Sequence, residues 1–538
     1  MFQLDKKRRY LLSVVSGLMM VLAFPYTGSI FPLIFIALVP LLLIEHHVYT
    51  NKLRPSNVFV HSYITFFIYN LGTTYWIWFA SPEGAIFAFV LNSLIMAAVF
   101  QLFHFTKRNT GALVGMFSLV IYWIGFEYIH YFWELSYPWL NLGNTFANQP
   151  ELVQWYSLFG VLGGTFWILL VNILIFKIVY SVFFLKQTWN LQRKLLIALA
   201  VTLFLPITTS LIQYATYEEQ GIDTEIVVTQ PNIDPYNEKF TGSVEQQLNT
   251  ICDLADQHTT EKTDFVLAPE TALPFSFYEE EVKRIIYYPY LVDRKAKWPN
   301  ASLLIGASTQ RYFKNKRSRA SVKIQGGPGY EEYYNSSMLI DHLDRPSFIH
   351  KSKLVLGVEK IPFSNFFPFL ETLAIQNGGT SGTLGVENSP QVFQSKGITF
   401  APVICYESIY GEFIAEQCRK GAELIFVITN DGWWKDTPGY KQHMAFSRLR
   451  AIENRKSVAR SANTGTSCFI NQRGDVLQAS KWWVKASMKE TLKRNSVKTF
   501  YTKHGDFAGK SFALVAIILF ILAIVKRFTK SRGDWEKK

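Results

Sequence analysis

Ile398-Thr399-Phe400-Ala401-Pro402-Val403-Ile404 is mostly apolar and stops at Cys405-Tyr406-Glu407-Ser408. The run reads as a buried strand that delivers one thiol to its C-terminal edge. Reaction sites of α/β folds gather at such edges. Taken alone, the thiol fits core packing better than chemistry, because free cysteine is among the most buried residue types. The rest of the chain decides between the two readings.

The chain has 538 residues, too many for one ordinary core. Hydrophobic residues make up 49% of it and aromatics 16%, and they are unevenly spread. Residues 1–217 contain long stretches without a charged side chain, whereas 218–505 resemble a water-exposed domain. The net charge of +13 could suggest nucleic acid, but much of the excess flanks apolar spans: Lys6 to Arg9, Lys52, Arg54, Lys107, Arg108 and the tail from Lys526. That distribution belongs to topology signals and lipid headgroups, and no nucleic-acid partner is expected. The four cysteines, Cys252, Cys405, Cys418 and Cys468, form no C-x-x-C pair and no zinc-type spacing.

Tyr10 to Ile44 is uncharged for 35 residues. One span takes about 20, so Pro25-Tyr26-Thr27-Gly28 divides it into two. The apolar pattern resumes after this turn without a small-residue cleavage site, which favours a retained span over a signal peptide. Further spans are expected over Pro55–Pro82, Gly84–Thr106, Asn109–Phe126, Leu152–Phe176 (with Leu185 as an alternative end), Leu195–Tyr214 and Ser511–Val525. Glu127–Glu151 is too polar to span and too aromatic for a plain linker. The expected organisation is a transmembrane helical region of about seven spans (1–217), a catalytic domain (218–505), and a last span with a basic tail (506–538). With eight spans all the basic segments fall on one side, the cytoplasmic one. Both termini are then cytoplasmic and the 218–505 domain is extracytoplasmic.

Within that domain, strands are expected at Thr224–Thr229, Phe265–Leu267, Ala301–Ala307, Ile398–Ile404, Leu424–Ile428, Val458–Ser461 and Ser467–Ile470. A hairpin is expected around Asp344-Arg345, and helices at Val244–Gln257, Ile409–Lys420 and Gln442–Lys456. Together they make a layered α/β domain.

Three segments share one grammar, an apolar strand followed by a reactive side chain: Glu270, Lys351 and Cys405. A thiol needs activation, because the thiolate is the nucleophile and its free pKa is about 8.5. A carboxylate can take the proton, and an ammonium can stabilise both thiolate and oxyanion. The three make a sufficient kit for acyl transfer through a thioester.

Ala268-Pro269-Glu270-Thr271-Ala272-Leu273-Pro274, His350-Lys351-Ser352-Lys353-Leu354-Val355 and Cys405-Tyr406-Glu407, in this order, resemble the nitrilase (carbon–nitrogen hydrolase) superfamily. Thr429-Asn430-Asp431-Gly432-Trp433-Trp434 and Arg450-Ala451-Ile452-Glu453-Asn454 are similar to its later blocks. The apolar first part and the last span resemble its apolipoprotein N-acyltransferase branch. The resemblance implies an αββα sandwich joined to a multi-span helical membrane bundle, in the bacterial cytoplasmic (inner) membrane. It implies Cys405 as nucleophile, Glu270 as general base and Lys351 as oxyanion stabiliser, with Glu359, Tyr406 and Glu407 in support. The implied acyl donor is a membrane phospholipid, and the acceptor is the S-diacylglyceryl cysteine of a lipoprotein; no cofactor or metal is implied. Lys351, rather than Lys353, has the family's spacing to Leu354-Val355 and Glu359. Two departures stand out. Leu356-Gly357-Val358-Glu359 replaces the usual Pro-Phe-Gly-Glu, and Asn232–Phe240 lacks the branch's tryptophan, leaving Tyr236 and Phe240 as unassigned alternatives. Asp431 and Glu453 read as scaffold. The 363–389 segment, half phenylalanine-rich and half glycine-rich, reads as a lid or lipid-dipping arm, with a packed surface loop as the alternative.

Two rivals share these features in part. A membrane-tethered nitrilase-type amidase would use the same three residues with water as acceptor, but a tether needs only one span. A transporter with an attached binding domain is disfavoured because Glu83, Glu127 and Glu134 lie near expected span ends, whereas transport paths usually carry ionisable groups within the membrane.

Overall fold

A computed structural model of the chain describes residues 3–361 and 383–535; most of the 363–389 segment lies outside the described residues. The chain divides into two compact units. One contains 1–75, 85–216 and 506–538; the other contains 76–84 and 217–505.

The first unit is helical. Among the described residues, six helices are long and apolar enough to cross a membrane by length and composition: Phe31–Thr50, Pro82–Thr110, Ala112–Ile129, Tyr156–Phe184, Trp189–Thr216 and Phe507–Thr529. Helices Lys6–Ala23 and Ser56–Thr74 occupy two further expected spans but fall outside that set. The polar-aromatic segment after Glu127 is folded into this unit, with Trp139, Leu142 and Phe146 buried. The Glu127 carboxylate anchors it, accepting hydrogen bonds from Trp123 Nε1 (3.0 Å), Leu142 N (2.9 Å) and Thr165 Oγ1 (2.6 Å).

The expected third span, Pro55–Pro82, is cut short, because its aromatic end belongs to the second unit. There the Trp76 ring lies 4.7 Å from that of Trp434, and Lys435 Nζ sits 4.7 Å above the Phe79 ring. A side chain at Gly439 would place its Cβ 2.6 Å from Trp76 Cδ2. Trp76 is buried by this packing, whereas Trp78 stays exposed.

The second unit stacks two sheets. The strands are β1 (Ile222–Gln230), β2 (Phe265–Leu267), β3 (Leu273–Tyr278), β4 (Ser302–Phe313), β5 (Val322–Lys323), β6 (Tyr330–Ile340) and β7 (Pro346–His350), then β8 (Phe393–Ser395), β9 (Ile398–Ile404), β10 (Leu424–Thr429), β11 (Ser457–Ala462), β12 (Cys468–Ile470), β13 (Val476–Ala479) and β14 (Ala486–Arg494). One sheet runs β14-β1-β2-β4-β6-β5, with β3 on β4 and β7 on β6; the other runs β13-β12-β11-β10-β9-β8. Strand alternation explains the layers. Ile226 and Val228 of β1 face an inter-sheet core with Phe265, Phe400 and Phe426, whereas Val227 faces a second core with Leu248, Ile251 and Leu291 from flanking helices. The Phe265, Phe400 and Phe426 rings meet at centroid distances of 4.6 to 5.2 Å, within the range favoured by aromatic pairs. Helices Gly411–Arg419 and Pro438–Asn454 belong to the same unit. Two stacked sheets and several apolar helices in one chain are the architecture that the resemblance implied.

Candidate active site

The thiol sits where β9 ends. Cys405 has φ +50°, the left-handed region that non-glycine residues seldom adopt, and it opens the short 3-10 turn Cys405–Ile409. The Glu407 carboxylate holds the turn by accepting the N–H of Ile404, the last residue of β9, at 2.8 Å. The same carboxylate accepts the N–H groups of Ser352 (2.6 Å) and Lys353 (3.4 Å) beyond β7. Burial pushes Glu407 up to about 7, against those hydrogen bonds and the charge of Lys351. Glu407 thus fastens the cysteine turn to the lysine loop.

Glu270 follows β2 and lies almost fully buried. β4 passes so close that a Cβ on Gly306 would stand 2.4 to 2.6 Å from Thr271 N, Glu270 Cα and Pro269 O. Lys351 follows β7, its N–H bonded to Asn335 O at 2.8 Å. Its Nζ donates to Glu270 Oε1 at 3.1 Å and to Glu359 Oε1 at 2.9 Å. Asn335 Nδ2 reaches the same two oxygens at 2.8 and 2.9 Å. Glu359 also accepts the Val355 N–H at 2.8 Å, which fixes its carboxylate despite the departure at 356–358.

The electrostatics follow from these contacts. Burial raises the Glu270 pKa, but Lys351, the Asn335 hydrogen bond and Lys239 together bring it below the ordinary value. Burial opposes the charge on Lys351, but Glu270 and Glu359 outweigh it and hold the ammonium charged. Burial, then the negative charge of Glu270, push the Cys405 thiol well up, with Lys351 pulling the other way. At rest, therefore, the thiol keeps its proton beside an ionised carboxylate and a charged lysine. That carboxylate can take the proton as the sulfur attacks.

Residues 226–501 match the carbon–nitrogen hydrolase family model, and 16–174 match that of the apolipoprotein N-acyltransferase N-terminal domain. A Chlorobaculum tepidum protein described as apolipoprotein N-acyltransferase is 30% identical over 531 residues, covering 96% of this chain and 97% of its own. The chain belongs to the apolipoprotein N-acyltransferase family. Relatives of the same description from Geobacter metallireducens and Haemophilus influenzae are 26% and 25% identical, each aligned over at least 96% of both chains. An amidase from Nesterenkonia sp., a solved structure, is similar at TM-score 0.35 and 13% identity, over 55% of this chain and 97% of its own. With its apolar helices, this member of the apolipoprotein N-acyltransferase family is a multi-pass membrane protein and an acyltransferase.

The structure places the remaining expected residues of this family member as follows. Tyr406 is buried, its ring 5.5 Å from that of Tyr410. Tyr236 is half exposed and donates to Trp433 O at 2.6 Å, whereas Phe240 is exposed. Asp431 follows β10, the parallel neighbour of β9. It is ion-paired with Arg460 at 2.6 Å and bonded to His443 Nδ1 at 2.9 Å. His443 Nε2 lies 3.0 Å from Cys405 O and 2.8 Å from Ser408 Oγ. Cys405, Asp431 and His443 offer ligand atoms within 4.8 Å of one another. However, the Arg460 guanidinium on Asp431 opposes a metal cation there, and the group serves instead as a brace behind the cysteine turn.

Sequence reading did not single out Asn335, Gly306, His443 or Lys239. None lies in the quoted motif blocks except Lys239, which directly precedes Phe240 in a segment searched for an aromatic residue.

Proposed function

We propose that the chain moves a fatty acyl chain from a membrane phospholipid to the α-amino group of the S-diacylglyceryl cysteine at a lipoprotein N-terminus, through a thioester on Cys405. The observation that carries this reading is the end-to-end match to the Chlorobaculum tepidum relative, which spans the apolar helices and the nitrilase-type domain together. A reaction between two lipid-borne substrates needs both parts, whereas hydrolysis of a soluble amide needs only the second.

In the first half, Cys405 gives its proton to Glu270 as sulfur attacks the ester carbonyl. A C–S bond forms, and Lys351 faces the oxyanion. The C–O bond then breaks, and the leaving lysophospholipid alcohol takes the proton from Glu270. In the second half, the lipoprotein amine attacks the thioester in its neutral form. Its surplus proton passes to Glu270 and then to the departing thiolate as C–N replaces C–S. Both acyl donors are already activated, so no further energy source is required. Glu359 holds Lys351, Glu407 holds the cysteine turn, and Tyr406 follows the nucleophile. The Lys/Arg distribution supports an extracytoplasmic, periplasm-facing domain on the bacterial inner membrane with cytoplasmic termini.

The test is mass spectrometry of a lipoprotein N-terminus from cells carrying either the wild-type protein or Cys405→Ser. Loss of the N-acyl group in the mutant is expected; an unchanged N-acyl group overturns the proposal. In addition, purified protein incubated with labelled phospholipid and no acceptor should carry label at Cys405.

A further inference from the structure

The triad leaves one buried cation unused. Lys239 lies beyond β1 in a turn closed by the Glu238 and Lys239 N–H groups on Asp234 O, each at 3.0 Å. Its side chain runs inward until the residue is only 3% exposed. Its Nζ donates to the main-chain oxygen of Glu270 at 2.9 Å. The Asn430 amide, with its oxygen turned inward, lies 3.1 Å from the same Nζ. Lysine is almost never fully buried unless paired, yet among the described residues no carboxylate oxygen bonds this one. Its electrostatic partners are Glu270 and Cys405.

The charges of the site explain why a second ammonium belongs there. Glu270 and Glu359 share Lys351, so that group alone carries one excess negative charge. Asp431 is already matched by Arg460, and the Glu407 carboxylate is taken up by backbone N–H groups. Without a further cation, the thiolate and the oxyanion would form in a buried site already negative, where low dielectric makes like charges costly. Lys239 makes the resting group neutral. When Cys405 passes its proton to Glu270, negative charge then moves from one electrostatic partner of Lys239 to the other, and none is added.

We propose that Lys239 is the second cation of the active site, a positioning residue that pins the Glu270 main chain and balances the Glu270–Glu359 pair so that negative charge can develop at Cys405. The assignment rests on the Glu270–Lys351–Cys405 reading. Burial brings the Lys239 pKa down to about 8, with Glu270 and Cys405 pulling upward; the ammonium therefore predominates at neutral pH.

The experiment uses full-length protein in detergent–phospholipid micelles. The rate of Cys405 alkylation by iodoacetamide is followed against pH by peptide mass for wild type, Lys239→Gln, Lys239→Met, Glu270→Gln and Lys351→Met. Lys239→Gln keeps a donor for Glu270 O but removes the charge. At pH 7, where the Lys239 ammonium predominates, it should slow alkylation about tenfold, the low end for loss of a nearby opposite charge. Lys239→Met should do at least as much. A loss below about twofold at pH 7 in a folded Lys239→Gln overturns the proposal, since a merely structural lysine would leave the rate in place. If Glu270→Gln and Lys351→Met leave the profile unmoved, the triad reading itself fails. If they move it and Lys239→Gln does not, only the Lys239 assignment fails. If both neutral variants lose native elution, Lys239→Arg carries the test. A wild-type rate at pH 7 in the folded arginine variant supports the charge role, and a loss of about tenfold overturns it.

Discussion

Glu407 accepts the Ser352 N–H at 2.6 Å, although 55 residues separate the two. This bond joins the turn that presents the nucleophile to the loop that presents Lys351. A displacement of either is passed to the other, so the sulfur and the ammonium keep their mutual geometry. A catalytic step that depends on near-attack placement loses about 100-fold for a shift of about 1 Å.

Replacing Glu407 with Gln turns one acceptor oxygen into a donor facing N–H groups. Turnover should fall by about 100-fold, measured as N-acylation of a diacylglyceryl peptide. Stability should show a pH signature as well. The carboxyl is protonated in both folded and unfolded chains below its ordinary value of 4.5, but only the folded chain keeps its proton up to about 7. Its contribution is therefore full at low pH and lost as pH rises through about 7. The wild-type Tm advantage over Glu407→Gln should shrink between pH 5 and 8; an advantage that grows would contradict the assignment.

Glu270→Gln keeps an amide within reach of Lys351 and removes the base. Acylation of Cys405 by labelled phospholipid should slow by about 100- to 10,000-fold, read as the single-turnover rate of label appearing on the protein. Retained elution volume and Tm would place the loss in chemistry and not in folding.

Gly306→Ala drives a methyl group into the main chain of Pro269 to Thr271. Main chain yields less readily than a side-chain tip, so a cost of about 1–3 kcal/mol is expected. A lowered Tm should accompany a fall in kcat, because the displaced backbone carries Glu270. A variant as stable and active as wild type would contradict the close approach.

Asp431→Asn leaves the buried Arg460 guanidinium without its carboxylate. Breaking a buried pair from one side costs about 3–5 kcal/mol, so folded yield and Tm should both drop. Asp431→Asn with Arg460→Met, which removes the stranded charge, should recover part of the loss.

Much of the layered domain is legible locally. Ile398–Ile404 is read as a strand with the bounds it has in the structure, and Phe265–Leu267 likewise. Both are apolar runs that end abruptly in polar or turn-forming residues. Val244 to Asp256 is read as a helix one residue too long, because its apolar positions recur at helical spacing. β3 and β14 are among the strands that escape notice: Leu273–Tyr278 begins inside a proline-bearing motif, and Ala486–Arg494 is polar enough to read as loop. β14 is a strand only because β1 accepts it along nine residue pairs from Ile222↔Arg494 to Gln230↔Ala486. The 363–389 arm falls mostly on residues that are not described.

By itself the sequence determined that an apolar helical part joins an α/β domain, and that Glu270, Lys351 and Cys405 each follow a strand. Those properties reside in hydrophobic periodicity and in motif order, which neighbouring residues carry. Only the tertiary structure decided that Trp76–Gly84 packs with the catalytic unit, that Glu407 spans two loops, that Gly306 makes room for Glu270, and that Lys239 is buried beneath it. Each of these is a contact between distant parts of the chain: 81 residues separate Lys351 from Glu270, and 31 separate Lys239 from the same glutamate. An isolated lysine or glycine has no local pattern that reports which surface will close over it. Its burial and its partners are set when two sheets and their loops come together.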